Sequence, residues 1–387
     1  MSDVWDLVVI GAGPAGSAAA LGALHARPDL RVLLLDRADF PRDKPCGDGI
    51  APHALDVLAA VGVTGLLDDK VPVRRLELTH GQLHVSRLMT RPAFVVPRSV
   101  FDARLLEAAQ AAGACCRRQR VRTIRVDRTH VVLDDTADAG RSVRARTVVG
   151  ADGAHSAVRA AIAPGRRPRT ALALRGYAPV PAAGRGRQLI VFGSRRQPAY
   201  AWSFDRGDGL ANVGYGELVR PGGPAPSRAL LLQQLDQLLP GATRGGSQWR
   251  GHHLPLSSWP WRQPDGRVLL AGDAAHLVNP ITGEGIYYAV ATGVLAGRAA
   301  ARAHDADGGH SAGRLHRRAV RTLLGRHLMH TSLAARLVPV PVLVHAAVRA
   351  AAAEQWVFDE LVELGLGRGC LSSATGRAMA RNVLSRG

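Results

Sequence analysis

At 387 residues and 47% hydrophobic composition, the chain has apolar material for a large core, and at roughly 100–200 residues per domain it divides into two or three domains. Its formal charge of +19 is spread over cationic residues interleaved with apolar ones in an Ala/Arg/Gly-rich background; with no DNA or RNA module and only 4% aromatics, a nucleic-acid partner is excluded. The four cysteines, Cys46, Cys115, Cys116 and Cys370, form no C-x-x-C pair and no even framework, so no metal site is expected and free thiols in a reducing, cytoplasmic setting are.

The chain begins with Asp3 and Asp6 where a secretory signal would be positive, and its apolar run stops at once in glycines, so export is not expected. "DLVVIGAGPAGSAAALGAL" reads as a buried strand over 7–10, then Gly11, Gly13 and Gly16, then an alanine-rich helix; "RVLLLDR" follows as a second strand ending at Asp36. Gly11 permits the tight turn, Gly13 lets backbone approach a pyrophosphate, and Gly16 lets helix and strand pack closely. The helix N-terminus supplies amide donors, and Asp36, twenty residues after Gly16, can accept from ribose hydroxyls. This is a dinucleotide site, which by itself does not separate FAD from NAD.

Next comes "PRDKPCGDGI" (41–50), which holds Lys44, one of only two lysines in the chain, together with Cys46, Gly47 and Gly49. Residues 71–88 and 171–260 alternate apolar and polar positions between Gly/Pro turns, as an antiparallel sheet would. "ARTVVGADGAHSAVR" (145–159) and "GRVLLAGDAAHLVNPITGEGIYYAVATG" (266–293) are two further strand tips, with Asp152 in the first and Gly272, Asp273, Pro280, Gly283 and Gly285 in the second. Each leads into a helix start able to face an anion. No stretch is long and apolar enough to span a bilayer. "ARLVPVPVLVHAAVRAAAA" (335–353), broken by Pro339 and Pro341, reads either as a helical hairpin over the core or as an apolar face for a lipid-like substrate or a membrane.

Three such tips resemble the flavoproteins that include p-hydroxybenzoate hydroxylase. Within that superfamily, the P-x-x-K-x-C-G-x-G-I segment at 41–50, R-x-x-F-D-x-x-L at Arg98, Phe101, Asp102 and Leu105, and "YAWSF" at 200–204 resemble the geranylgeranyl reductase group. The resemblance spans about residues 1–300 and implies a Rossmann-like α/β FAD-binding domain (1–70, 98–170, 262–305), an inserted antiparallel β-sheet substrate domain (71–97, 171–261) and a C-terminal helical region (306–387).

It also implies the site. FAD would be held by Gly11, Gly13, Pro14, Ala15, Gly16, Asp36, Arg37, Lys44, Cys46, Gly47, Arg98, Asp152 and Gly272; Asp273 would hold the ribityl chain, and Pro280 and Gly283 through Gly285 to Ile286 would lie at the flavin ring. Tyr200, Trp202, Phe204 and Tyr215 would line an apolar pocket, and Cys46, Tyr215 or water would complete reduction of a C=C bond with a proton. For Cys46 the other reading is packing beside the ring, since no nearby base argues for a thiolate.

Two departures stand out: Asp205 where the pocket motif has proline, and His276 in "GDAAH", more typical of hydroxylases. The second keeps a monooxygenase working through a flavin hydroperoxide, making a hydroxyl or epoxide, as the alternative. A flavin-less binding protein is a third reading, opposed by the intact glycines and Asp273. With no second dinucleotide fingerprint, NAD(P)H would bind transiently or a separate electron-donor protein would supply electrons, and peripheral membrane contact is an accompanying expectation.

Overall fold

The structure is a computed structural model and describes residues 4–134, 142–165, 168–195, 197–220 and 223–384; Asp3 lies outside them. The chain opens as β1 (Val4–Ile10), α1 (Pro14–Ala26) and β2 (Val32–Asp36), passes a two-residue strand β3 (Gly49–Ile50) and α2 (Pro52–Ala59), and makes the hairpin β4 (Pro72–His80) and β5 (Leu83–Val95). It returns through α3 (Arg98–Ala111), β6 (Cys115–Arg118), β7 (Thr123–Val126), β8 (Val131–Asp134), β9 (Val143–Gly150) and α4 (Ala157–Ile162). A long excursion follows, comprising β10 (Thr170–Pro179), β11 (Arg187–Phe192), β12 (Tyr200–Asp205), β13 (Leu210–Leu218), α5 (Arg228–Leu238) and β14 (Ser247–Pro255). β15 (Val268–Leu270) and α6 (Ile286–Asp307) lead to four helices: α7 (Ala312–Leu337), α8 (Pro341–Ala353), α9 (Gln355–Leu366) and α10 (Ser373–Leu384).

The first sheet runs β6-β2-β1-β9-β8-β7, with β15 also on β9. β1 and β2 are near-continuous apolar runs because helices cover both faces. Register does the functional work here: Ile10 pairs with both Leu35 and Gly150, and Gly150 pairs with Leu270, all in parallel. Four strands therefore end level, and Gly11, Asp36, Asp152 and Asp273 leave the same edge of the sheet, where open α/β sheets bind ligands.

α1 is built almost entirely of small residues because α6 lies directly on it. A Cβ at Gly293 would fall 2.2 Å from the Ala15 carbonyl oxygen, and one at Gly297 would fall 2.0 Å from that of Ala19. Any larger residue would push the helices apart and separate the first strand tip from the helix that follows the third.

The second sheet runs β14-β10-β13-β12-β11-β4-β5-β3. It is antiparallel except where β11 meets β4 in parallel, the join between two stretches of chain more than a hundred residues apart. Its edge strand β3 comes straight out of the 41–50 loop, so that loop is stretched between the two sheets. α8 and α9 cover the β4–β5 end: Leu76, Leu78, Val85 and Met89 pack with Val348, Ala351 and Phe358 in one buried cluster. The 335–353 segment is thus the end of α7, a turn, and α8 with Pro341 in its first helical turn, where proline costs nothing. Among the described residues no helix is long and apolar enough to cross a membrane.

Candidate active site

One cavity of about 1100 Å³ lies between the level strand ends, the second sheet and the C-terminal helices. Its cofactor-sized end is lined by Gly11, Gly13, Pro14, Ala15, Asp36 and Arg37. Gly16 and Gly272 are not on its wall. Gly16 faces the turn behind it, where a Cβ would meet the Gly11 carbonyl at 1.7 Å, and a Cβ on Gly272 would press on Ala15 and Ala289 at 3.1 and 3.2 Å. Both are packing glycines that bring the strand tips together.

The two acids nearest the fingerprint brace backbone. Asp36 accepts from the Ala12 amide at 2.9 Å and the Ala38 amide at 3.0 Å. Asp152 accepts from Ser156 Oγ at 2.6 Å and from the Ala157 amide at 2.7 Å, capping α4. Arg159 then ties the second tip to the third, donating to the Ala154 carbonyl and to that of Ala274 at 2.9 Å.

The 41–50 loop crosses the middle of the cavity and brings Lys44, Cys46 and Gly47 to its wall. Lys44 Nζ donates to Asp273 Oδ2 at 2.8 Å, across 229 residues of chain. Burial would raise the Asp273 carboxyl, but Lys44, with His252 and Arg98 nearby, holds it below the usual carboxylate range. Arg98 is 4% exposed and forks onto Asp102 through Nε and Nη2 at 2.6 and 2.8 Å. Burial opposes its charge, yet the Asp102 carboxylate more than offsets that and keeps the guanidinium firmly protonated.

A buried polar network absent from the sequence reading holds the Cys-Gly turn. Asn212 on β13 donates to the Cys46 carbonyl at 2.8 Å and to Asp48 Oδ2 at 2.8 Å, and accepts from the Trp202 indole at 2.8 Å. Tyr177 also donates to Asp48, which sits in the left-handed region at φ 59°. Burial lifts the Asp48 carboxyl to about 6. The loop's backbone is therefore fixed from the second sheet.

Three more wall groups hold a proton or leave one off. Burial pushes the Cys46 thiol up, so it stays neutral. Glu284, between Gly283 and Gly285, accepts from the Tyr287 amide at 2.8 Å, and burial lifts its carboxyl to about 7. His252 on β14 is pushed down to about 4 by burial and the Lys44 charge, and its Nε2 has no partner among the described residues. Glu284 lay within a segment the sequence marked; His252 carries no local signal beyond a pair of histidines in "RGHHLP".

Tyr200, Trp202 and Phe204 alternate along β12 and all face the cavity, with Pro280, Gly283, Gly285 and Ile286 across from them. Tyr215 does not join them. It pairs with Ala201, so strand alternation turns it to the other face, where it is buried beneath α5 with Leu231 and Leu235, its hydroxyl donating to Glu217 at 3.0 Å. A proton-donor or pocket role for Tyr215 is not what this placement offers. Tyr215→Phe is expected to cost about 1–3 kcal/mol of stability in thermal melts and to leave steady-state turnover unchanged. His276 is likewise off the wall: it closes the Gly272–Ala275 turn in a left-handed conformation, φ 55°. Asp205 braces the β12–β13 hairpin, accepting from the Gly186 and Gly207 amides at 2.6 and 2.9 Å.

The far end of the cavity is apolar. Val344, Val348, Phe358, Leu361 and Val362 from α8 and α9 face Leu76, Leu78 and Ile190 of the second sheet. The C-terminal helices are therefore part of the site, which composition alone did not reveal.

The FAD binding domain family model matches residues 4–174 and 236–312. The chain is 34% identical over 318 residues to a menaquinone reductase of Mycolicibacterium smegmatis, covering 75% of each, and 32% identical over 316 residues to a digeranylgeranylglycerophospholipid reductase of Methanopyrus kandleri, covering 78% of this chain and 82% of that one. The chain belongs to the geranylgeranyl reductase family of FAD-dependent oxidoreductases. This family member also shares its fold with a geranylgeranyl bacteriochlorophyll reductase-like protein of Thermoplasma acidophilum, at TM-score 0.78 and 20% identity over 100% of this chain and 98% of that one. The residues present fit the family's cofactor: Gly13 caps α1 without a side chain, so the amides that follow Pro14 are open to an anion, and the space beside Gly13 is flanked by Arg42 rather than closed by backbone. Arg42 fills an unspecified position of the P-x-x-K segment at 41–50, so the motif itself gave it no role and it read as one arginine among many.

Proposed function

We propose that this protein reduces carbon–carbon double bonds in an isoprenoid or other long apolar chain. The observation that carries the reading is the single cavity that begins at the dinucleotide fingerprint, passes Cys46 and Gly47, and continues between apolar helices. FAD, when bound, supplies hydride chemistry. The α1 N-terminus, Asp36 and Arg42 would hold its phosphate and sugar groups, the Lys44–Asp273 pair its ribityl chain, and Arg98 and the 283–286 turn its ring end. The names of the two relatives, reductases of menaquinone and of a geranylgeranyl lipid, support an apolar, prenyl-bearing substrate here.

The chain's own contribution is placement and dryness. Tyr200, Trp202 and Phe204 form an aromatic wall of mutually tilted rings against which an alkene can lie, while α8 and α9 exclude water from the rest of the substrate chain. Asn212 fixes the Cys46 carbonyl and with it the Gly47 backbone, which would lie beside a bound flavin. Two wall groups, the Cys46 thiol and the Glu284 carboxyl, keep a proton near neutral pH and can hand one to a substrate carbon. The electron source is NAD(P)H at the same open cavity or a separate carrier.

The test is anaerobic. Reduced protein is mixed with a prenylated quinone, any quinol formed is reoxidised to quinone in air after the protein is removed, and the product is then weighed for two added hydrogens per side-chain double bond. Conversion that strictly requires oxygen would replace this reading with the monooxygenase one. On the same preparation, Cys46→Ser is expected to keep its flavin and lose no more than about tenfold in turnover, because volume and an O–H donor are retained. A loss of roughly a hundredfold with normal flavin reduction would make the thiol the obligatory donor.

A further inference from the structure

The apolar end of the cavity meets the surface at the end of α7. Leu337 lines the cavity and is also 46% exposed. Met329 and Leu333, at 44% and 59% exposed, continue from it at four-residue spacing along one face of α7, and Val340 in the turn to α8 is 45% exposed. Trp259, 37% exposed, packs its ring against Gly325 beside this stripe. A contiguous apolar stripe at a cavity mouth is not ordinary surface.

Exposed arginines flank it. Arg326 and Arg336 share the stripe's face by i,i+3 spacing, are exposed, and make no hydrogen bond or ion pair among the described residues. α7 also carries Arg314, Arg317, Arg318 and Arg321, and neither α7 nor α8 contains a single Asp or Glu.

We propose that the end of α7 and the turn into α8 seat on the surface of an anionic lipid bilayer. Met329, Leu333 and Val340 would enter the acyl boundary, and Arg326 and Arg336 would meet phosphate headgroups. The cavity mouth at Leu337 then opens into the bilayer, and an apolar chain reaches the site without crossing water. That delivery role rests on the substrate reading above; the docking itself rests on the surface. A second copy of this chain is the wrong occupant, because a two-fold contact on this face would set arginine against arginine with no acid on either side.

The experiment is flotation of the FAD-loaded protein with vesicles, without substrate. Wild type is expected to float with phosphatidylglycerol/phosphatidylcholine vesicles and to bind phosphatidylcholine alone at least about tenfold more weakly. Met329→Asp/Leu333→Asp and Arg326→Glu/Arg336→Glu are each expected to lose about tenfold or more of that binding, with flavin content and turnover of a detergent-dispersed substrate unchanged. Wild type that binds neither vesicle would overturn the proposal. So would anionic binding undiminished in both variants, which would place it elsewhere on a +19 chain, or sedimentation showing that Met329→Asp/Leu333→Asp splits a dimer. If no apolar alkene is reduced in detergent while vesicle binding behaves as expected, the substrate reading fails and the docking surface stands.

Discussion

Gly13→Val is expected to fold normally and to emerge without flavin. An added Cβ at Gly13 meets only Arg42 Nη2 at 3.1 Å and an Asp102 oxygen at 3.8 Å, the ends of side chains rather than backbone. The protein can absorb it. Two branching methyls then project toward the cavity, over the open amides of α1, where a pyrophosphate must come closest. Overfilling a contact of that kind costs about 3 kcal/mol, or about two orders of magnitude in Kd. The check is the absorbance ratio of purified protein together with a melting curve. Full FAD content in a well-folded variant would remove the fingerprint from the cofactor site. The contrast with Gly16 is instructive, since any side chain there strikes the Gly11 carbonyl and would disturb the fold itself.

Lys44→Met should produce the largest loss of stability, and one that depends on pH. Asp273 is 12% exposed and Lys44 25%, so the pair is mostly out of water. Removing the lysine strands a buried carboxylate, at a cost of about 3–5 kcal/mol near neutral pH. In the wild type Asp273 titrates below its unfolded value, so its contribution is present above the unfolded carboxylate pKa of about 4 and fades as pH falls through the lower folded value. In the variant burial dominates and the folded pKa lies above the unfolded one. The acid's contribution is then complete below about pH 4 and is lost as pH rises. The gap between the two proteins therefore widens from acid to neutral pH. Urea melts at pH values either side of the carboxylate range measure it, and a gap of constant size would show that Asp273 carries no charge in the folded protein.

How much of this was legible follows from the range of each signal. The fingerprint, Asp36 and the later strand tips are local patterns, and parallel register then brings them to one edge. The aromatic wall was half legible. Residues 200, 202 and 204 share a face by alternation within one strand, but whether Tyr215 joins them depends on the pairing across the hairpin, where Asp205 meets Ala211 and Tyr215 meets Ala201. That parity is set by the turn and not by either strand. The Lys44–Asp273 bond and the Asn212 contact to Cys46 link residues 229 and 166 positions apart, beyond any local pattern. The C-terminal helices were hardest to read, because Ala, Val and Leu on a helix look the same whether they face a core or a cavity.

The division of the cavity wall has a consequence for how such a protein can change. Every group near the dinucleotide end belongs to the chain before α7, while α8 and α9 supply much of the apolar end. A shorter side chain at Val344, Val348 or Leu361 would deepen the hollow like a notch moved along a ruler, and leave the electrostatics around Asp273 and Arg98 untouched. Redox chemistry and accepted chain length can then drift separately, one inherited through glycines and charges, the other through the bulk of a few aliphatic residues in α8 and α9.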